Sequence, residues 1–233
     1  MDPLGHWEDS RTALHYARAS VHVGLWQSER ILAERYLLKT SELLELGCGA
    51  GRIALGLYQL GWKRVTPTDI SNAMVDLAQG VFAESNVPLK ALRADARTLP
   101  FNNETFDHAL FGFNGLMCIQ GRTERAKALR EIHRVLRSNG HLLLTAHDRE
   151  CGESREHWRT ATAPADGELG DRWHGSESTP VFIHAGTKTE TSAELIEAGF
   201  TVIETAMRSE ITDEPPAVRA FSDDTRWFVA KKV

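Results

Sequence analysis

Three glycines at alternate positions, Gly47, Gly49 and Gly51, follow a short and mainly apolar run at 43–46. Because glycine has no Cβ, the chain can turn sharply there and a ligand can approach its backbone closely. The next segment, from about 50 to 60, has helical periodicity, so the N-terminus of a helix should face the turn. Backbone N–H groups and the positive end of the helix dipole collect at such a place. The pattern therefore favours a site for a carboxylate or another polar ligand group.

The spacing of these glycines separates two kinds of nucleotide site, and it also fits an ordinary strand–turn–helix corner. A dinucleotide fingerprint has its third glycine three positions after the second. Arg52 occupies that position here, so a dehydrogenase is the least favoured of the enzyme classes considered. Whether the glycine segment is a different nucleotide-binding loop or an ordinary corner depends on residues further along the chain.

Two aspartates stand at predicted strand ends, where a carboxylate can bind a nucleoside. Asp69 ends the predicted strand 64–69, and Asp95 follows the predicted strand 88–93. Asp69 can accept hydrogen bonds from both hydroxyls of a ribose. Asp95 can accept one from an adenine amino group, although a turn role is the common alternative for such an aspartate. Asp69 also competes with Ser71 as the N-cap of the following helix, and we expect Ser71 to be the cap.

Asn114 and His147 come after the fourth and fifth predicted strands, at the sheet edge where open α/β folds bind ligands. An imidazole has an ordinary pKa of about 6.5, so His147 is a candidate general base. A histidine held by hydrogen bonds in a loop is the competing interpretation. Three other histidines are rivals for the catalytic role: His22, His174 and His184.

For these residues to lie close together, the strands that precede them should form one α/β sheet with helices on both faces. The predicted strands are 43–46, 64–69, 88–93, 106–111, 141–146, 200–204 and 226–230. The predicted helices are 50–60, 72–84, 122–137 and one that a Thr191–Glu194 capping box opens. The last two strands have no predicted helix between them, so we expect them to pair antiparallel.

The sequence predicts a single domain over 1–233 with two additional segments. A helical segment at 8–38, broken near Gly24, is expected to form a lid. The segment 149–184 loses periodicity but carries tryptophans, so we interpret it as an inserted cover rather than a flexible linker. The expected substrate pocket comprises Tyr16, His22, Trp26, Met117, Trp158 and His174.

The composition of the chain further limits the classes of function that fit it. The 233 residues are 42% hydrophobic and 25% charged, which is typical of a globular domain with a substantial core. The net charge of −5 gives no general electrostatic reason to bind nucleic acid or an anionic membrane. Three widely spaced cysteines argue against a disulfide framework or a thiolate metal site, and we expect no metal. With neither a signal peptide nor a membrane-spanning stretch apparent, the expected location is the cytoplasm.

From about residue 41 onward the chain resembles the class I S-adenosylmethionine-dependent methyltransferase family. The resemblance rests on Leu-Glu-Leu-Gly-Cys-Gly-Ala-Gly at 44–51, Asp69, Asp95-Ala96 and Phe-Asp-His-Ala-Leu at 106–110. It continues through Glu-Ile-His-Arg-Val-Leu-Arg-Ser-Asn-Gly-His-Leu at 131–142 and Ala-Gly-Phe at 198–200. It implies a Rossmann-like, mostly parallel seven-stranded sheet in the order 3-2-1-4-5-7-6, with strand 7 antiparallel.

The resemblance also implies roles for particular residues. The three glycines would line the methionine and ribose part of the cofactor, and Glu45 would order the loop or reach the amino group through water. Asp69 would bind the ribose, Asp95 and the backbone of Ala96 the adenine, and Asn114 would lie near the reactive methyl group. The expected cofactor-binding set is Glu45, Gly47, Gly49, Gly51, Asp69, Ile70, Met74, Asp95, Ala96 and Asn114.

The expected function is in-line methyl transfer from S-adenosylmethionine to a small-molecule acceptor. An RNA or protein methyltransferase is an alternative that a basic surface stripe beside the pocket would favour. A non-catalytic regulatory protein that binds S-adenosylmethionine is another, which Asn114 and His147 pointing away from the methyl group would favour. Fold alone does not identify the acceptor atom, and the sequence leaves the oligomeric state open.

Overall fold

A computed structural model describes residues 5–8, 23–152, 155–176 and 179–233 of the chain. The predicted pocket residues Tyr16 and His22 lie outside these ranges. The helices are α1 Gly5–Glu8, α2 Gln27–Tyr36, α3 Arg52–Gln59, α4 Asn72–Glu84, α5 Arg122–Val135, α6 Arg155–Thr160, α7 Lys188–Glu197, α8 Arg208–Ile211 and α9 Pro216–Phe221, with a 3₁₀ turn at Leu116–Cys118. The strands are β1 Leu43–Leu46, β2 Val65–Asp69, β3 Leu92–Arg93, β4 Phe106–Phe111, β5 Leu136–Asp148, β6 Asp171–Ser176, β7 Thr179–Gly186, β8 Phe200–Met207 and β9 Arg226–Lys232.

The main sheet has the strand order β3-β2-β1-β4-β5-β9-β8. The first five strands run parallel, and β9 is antiparallel to both β5 and β8. With β8 and β9 taken as the sixth and seventh strands, the predicted order 3-2-1-4-5-7-6 is confirmed. Strands β6 and β7 are additional: they form an antiparallel hairpin that joins the end of β5, where His147 pairs with Ala185.

Both faces of the sheet are covered, which explains the nearly continuous apolar runs of its central strands. Leu43 packs in a cluster with α2, α3 and α4, whereas its neighbour Leu44 packs in a cluster with α5 and α7. This alternation is the two-residue period of a strand. Within the described ranges, no helix combines the length and the apolar character that crossing a bilayer requires.

Several predicted element bounds are wrong, and each has a local cause. The third strand is reduced to Leu92–Arg93. Helix α5 ends at Val135 rather than 137, because Leu136 already pairs with Phe106 in the sheet. Asn139, expected to end the helix, has a φ of +66° inside β5 beside a register shift between β4 and β5.

The capping box of α7 lies one turn earlier than predicted. The Thr187 side chain accepts a hydrogen bond from the Glu190 backbone N–H, and the Glu190 carboxylate accepts one from the Thr187 N–H. Glu194, expected to cap, instead binds the buried guanidinium of Arg125. Two short helices, α8 and α9, lie between β8 and β9, where we expected no helix.

Candidate active site

A cavity of about 440 Å³ lies at the carboxyl edge of β1, β2 and β4. It takes its walls from the glycine loop, the end of β2, the turn after β3 and the residues after β4. Eight residues of the predicted cofactor set line it: Glu45, Gly47, Gly49, Asp69, Ile70, Met74, Asp95 and Ala96. Gly51 and Asn114, also in that set, do not. The strand order thus brings together side chains that lie as far as 51 positions apart, from Glu45 to Ala96.

Two of the loop glycines, Gly49 and Gly51, differ in what a Cβ at their position would contact. All three have positive φ, with values of +62°, +52° and +79° for Gly47, Gly49 and Gly51. A Cβ on Gly49 would meet no atom within 4 Å, because this position faces open space. A Cβ on Gly51 would lie 2.6 Å from the ring of Phe82. Gly51 therefore serves helix–helix packing at the N-cap of α3 and does not line the cavity.

This division predicts different stabilities for two alanine variants. Gly51→Ala is expected to lower the free energy of unfolding by ~2–4 kcal/mol, because it adds a steric overlap with Phe82 to the cost of a positive φ. Gly49→Ala is expected to lower it by only ~1 kcal/mol, the cost of the left-handed backbone alone. Urea titration of both variants measures the difference. Equal destabilisation would contradict the assignment of Gly51 to packing.

Asp69 is a buried carboxylate that orders the loop and the next helix at once. Its oxygens accept hydrogen bonds from the backbone N–H groups of Gly49 and Ser71, both at 2.9 Å. Burial raises the pKa of Asp69, and these hydrogen bonds act in the opposite direction. Ser71 caps α4 by accepting from the Met74 N–H, as predicted. Asp69 is therefore not the N-cap of α4, and it lines the cavity.

The N-terminal helix α1 closes this end of the cavity, which the sequence did not indicate. Trp7 lines the cavity, and its carbonyl accepts a hydrogen bond of 3.0 Å from the Ser71 hydroxyl. The carboxylate of Glu8 accepts from the first backbone N–H of α4, that of Asn72, at 2.9 Å. An acidic side chain is well placed at the positive end of a helix dipole.

Glu45 presents a buried acceptor to the cavity. Its side chain is 1% exposed, and its Oε2 has no hydrogen-bond partner. Burial raises the pKa of Glu45 to about 8, although the nearby guanidinium of Arg52 lowers it. Arg52 is itself held by Glu29, with N–O distances of 2.6 and 2.7 Å, and lies over the Trp26 ring. A cationic ligand group beside Glu45 would supply the partner that the carboxyl lacks.

Asp95 lines the cavity but is already engaged. Its oxygens accept hydrogen bonds from the backbone N–H and the guanidinium of Arg97, the shortest at 2.6 Å. Burial alone would raise the pKa of Asp95, but these bonds outweigh it and the pKa is lowered. A carboxylate has about four acceptor positions, so a further donor can still bind. The sequence analysis did not anticipate Arg97.

Asn114 and His147 form a hydrogen-bonded pair next to the cavity, with 3.1 Å between Asn114 Nδ2 and His147 Nε2. Asn114 lies between Phe113 and Gly115, both of which line the cavity. Its backbone has a φ of +63°, its N–H donates to the Thr145 hydroxyl, and its buried Oδ1 has no partner. Burial, Arg172 and His174 lower the pKa of His147 to about 4.

None of the four described residues of the predicted substrate pocket lines the cavity. Met117 does not line the cavity, because it packs in the core cluster beneath α5. Trp26 lies behind the wall, between the guanidinium groups of Arg52 and Arg208 and against Phe113. Trp158 and His174 lie instead near Arg172, outside the cavity lining.

Phe221 of α9 was missed because nothing in a short segment before the last strand signals a contact with β4. Its ring stacks on Phe113 with 5.4 Å between centroids, and both rings line the cavity. This pair supplies the apolar wall that the sequence analysis assigned to other aromatic residues.

A family model described as a methyltransferase domain matches residues 44–144. An O-methyltransferase of Aspergillus nomiae is 28% identical over 145 residues, 60% of each chain, so the match spans less than two thirds of that relative. A solved S-adenosylmethionine-dependent methyltransferase of Methanosarcina mazei has a TM-score of 0.71 at 19% identity, covering 90% of this chain and 99% of that one.

A second solved structure has a similar fold over the whole chain. It is the 1,6-didemethyltoxoflavin-N1-methyltransferase of Burkholderia thailandensis with bound 1,6-didemethyltoxoflavin and S-adenosylhomocysteine. Its TM-score is 0.66 at 17% identity, and the match covers 100% of this chain and 91% of that one. The sheet order and these likenesses show a methyltransferase-like fold, and residues 44–144 are similar to a methyltransferase domain.

Proposed function

We propose that this protein transfers the methyl group of S-adenosylmethionine to a small-molecule acceptor. The observation that carries the proposal is one cavity whose wall includes Asp69, the open backbone at Gly49 and Glu45, a buried carboxyl group with one oxygen that makes no hydrogen bond. A ribose needs paired acceptors, and an amino acid ammonium group needs a buried acceptor. The arrangement offers both on opposite sides of a glycine loop.

The residues present fit the cofactor. Asp69 would accept from the ribose hydroxyls, and Glu45 would hold the ammonium group of the methionine part. Asp95 would accept from the adenine amino group, with Ile70 and Met74 as apolar surface. Each assignment rests on a residue that lines the cavity.

The chemical work left to the protein is positioning. The bound cofactor supplies a methyl group already activated by a sulfonium centre. The chain then has to hold the acceptor in line with that group and keep water away. Phe113 and Phe221 provide an apolar wall for this purpose, and the Asn114–His147 pair provides polar groups beside it.

A small acceptor is the class that best fits the cavity and the charge of the chain. The net charge of −5 gives RNA no general attraction. The names of an O-methyltransferase relative and of the toxoflavin-precursor N-methyltransferase neighbour add support for small molecules. A single domain and a cytoplasmic location stay predictions.

For an acceptor that keeps its proton at neutral pH, we propose His147 as the general base. Because its pKa is lowered to about 4, the imidazole stays neutral and able to accept a proton well below pH 6.5. Because kcat/KM follows the pKa of the free enzyme, the kcat/KM of methyl transfer should stay level as pH falls from 8 and decline only as pH approaches about 4. His147→Gln should lower kcat by at least ~100-fold.

The pH profile of kcat/KM, measured with a pH-independent assay of S-adenosylhomocysteine release, tests this role. His141→Gln, near the middle of β5, is the matched control and should keep the wild-type profile. A decline centred near pH 6.5, or an unchanged kcat in His147→Gln, would remove His147 from the role of base.

The function itself is tested by calorimetric titration with S-adenosylmethionine, S-adenosylhomocysteine and NAD. We expect micromolar or tighter binding of the first two and none of NAD. Transfer of labelled methyl to a panel of phenols, amines and carboxylic acids then tests catalysis. Binding of neither S-adenosylmethionine nor its demethylated product would overturn the proposal, and binding without any transfer would favour the regulatory alternative.

A further inference from the structure

Arg172, on β6, is a half-buried cation without an anionic partner. Within the described ranges, no carboxylate lies within ion-pair distance of it, and its solvent-shielded Nε makes no hydrogen bond. Every other arginine of these ranges that is not exposed pairs with an acidic side chain within 4 Å. These are Arg52, Arg97, Arg125, Arg134, Arg149, Arg208 and Arg226.

An arrangement of this kind costs stability unless a ligand completes it. A guanidinium keeps its charge at all physiological pH values, and a shielded charge without a partner is unfavourable. The ring of Trp158 lies 4.9 Å from the Arg172 Cζ and holds one flat face of the group. Because stacking uses the face, the N–H edges are left for an in-plane acceptor.

Arg172 does not line the cavity, but the fold places it near the Asn114–His147 pair that lies next to the cavity. The hairpin of β6 and β7 joins β5 at His147, and Arg172 acts electrostatically on His147. His147 in turn bonds to Asn114, whose neighbours Phe113 and Gly115 line the cavity. A group bound to Arg172 would therefore lie beside the residues at which methyl transfer is proposed.

The charged groups near Arg172 favour a singly charged anionic ligand. The guanidinium fork matches the two oxygens of a carboxylate. His174 lies in the same electrostatic surroundings, and Asp223, an exposed carboxylate beyond ion-pair distance, contributes a negative charge. That negative charge disfavours a doubly charged phosphate and leaves a singly charged carboxylate as the better ligand.

We propose that Arg172 binds a carboxylate group of the methyl acceptor, whose apolar part lies against Phe113 and Phe221. The inference rests on the proposed function and names the acceptor class: a small aromatic or apolar carboxylic acid. Arg172 is then the residue that determines specificity for acids over their uncharged analogues.

Ligand-observed NMR titration with matched pairs tests the proposal. The probes are 4-hydroxybenzoate, phenylacetate and cinnamate, each with its amide, added to protein with and without S-adenosylhomocysteine. We expect at least one acid to bind wild-type protein about 10- to 100-fold more tightly than its amide. That ratio should fall to near one in Arg172→Gln and recover in part in Arg172→Lys.

Two further variants sharpen the readout. Asp223→Asn should strengthen acid binding, because it removes the competing negative charge, whereas it would weaken binding if Asp223 merely held Arg172 in place. Arg130→Gln, an exposed arginine of α5, is the matched control and should leave the ratio unchanged. Thermal melting of Arg172→Gln should equal or exceed that of wild type, since no ion pair is lost.

Three results would overturn the proposal. They are equal binding of acids and amides by wild type, an acid preference that survives in Arg172→Gln, and no saturable binding of any acid below about 10 mM. S-Adenosylhomocysteine binding is measured on the same samples. Its absence would count against the proposed methyltransferase function, whereas its presence without an acid preference would count against the role of Arg172 alone.

Discussion

Asp69→Ala is expected to weaken S-adenosylmethionine binding by at least ~100-fold, because the proposed contact to two ribose hydroxyls is a charge-assisted pair of hydrogen bonds. The variant also leaves the backbone N–H groups of Gly49 and Ser71 without their acceptor. We expect that loss to lower the free energy of unfolding by ~1–2 kcal/mol. Calorimetric titration gives the affinity, and urea titration gives the stability.

Two controls separate binding from folding. Asp107→Ala removes a carboxylate that also accepts a backbone N–H, from Glu42, and pairs with Arg137 near the opposite edge of the sheet. It should cost stability but leave affinity unchanged. Ser71→Ala removes the cap of α4 and the hydrogen bond to the Trp7 carbonyl, but no proposed contact to the cofactor, so it should change affinity much less than Asp69→Ala does. If Asp69→Ala bound S-adenosylmethionine as tightly as Asp107→Ala does, Asp69 would be a loop-ordering residue only.

Glu45→Gln is expected to change the proton balance of cofactor binding. With a pKa of about 8, Glu45 is mainly protonated at pH 7 in the free protein. A bound ammonium group favours the ionised carboxylate, so binding should release close to one proton at pH 7. The binding enthalpy of wild type should therefore vary with the ionisation enthalpy of the buffer, and that of Glu45→Gln should not.

The same carboxyl predicts a stability change with a definite sign. Its folded-state pKa is raised above the ordinary value of 4.5, so the folded protein holds a proton that the unfolded chain has lost. The stability of the free protein should therefore fall as pH rises from about 4.5 to 8, and level off above. Glu45→Gln removes this decline, so between pH 5 and pH 8.5 its stability relative to wild type should rise by ~4 kcal/mol.

Glu42→Gln, the same substitution near the start of β1, is the matched control for both measurements. Glu42 pairs with Arg64 at the surface, so its replacement should alter neither the buffer dependence nor the pH dependence. A wild-type binding enthalpy that is independent of buffer at pH 7 would show that Glu45 does not change its protonation on binding.

Local signals account for what could be predicted from the sequence. Gly47 and Gly49 after a strand, Asp69 at a strand end and Ser71 before a helix act within a few residues of their own positions. Their placement at one edge then follows from the parallel strand order, which the family resemblance supplied. The part of the cavity wall that these residues form could therefore be predicted from the sequence.

The remaining features depend on partners that are distant in sequence. Phe221 and Phe113 are 108 positions apart, and nothing local relates them. Met117 and Trp26 have the residue types of a pocket, but burial of apolar area in the core competes for the same side chains. Arg172 is distinguished by the lack of an acidic partner among the described residues, which sequence patterns do not encode.

β9 lies between β5 and β8, although it is the last of the strands to be synthesised. During synthesis on the ribosome, one long edge of β5 therefore stays unpaired, and β8 has no neighbouring strand, until β9 has emerged. An unpaired edge is a template for another chain. Translational pausing or premature termination shortly before residue 226 should accordingly leave a nascent chain that aggregates or recruits chaperones.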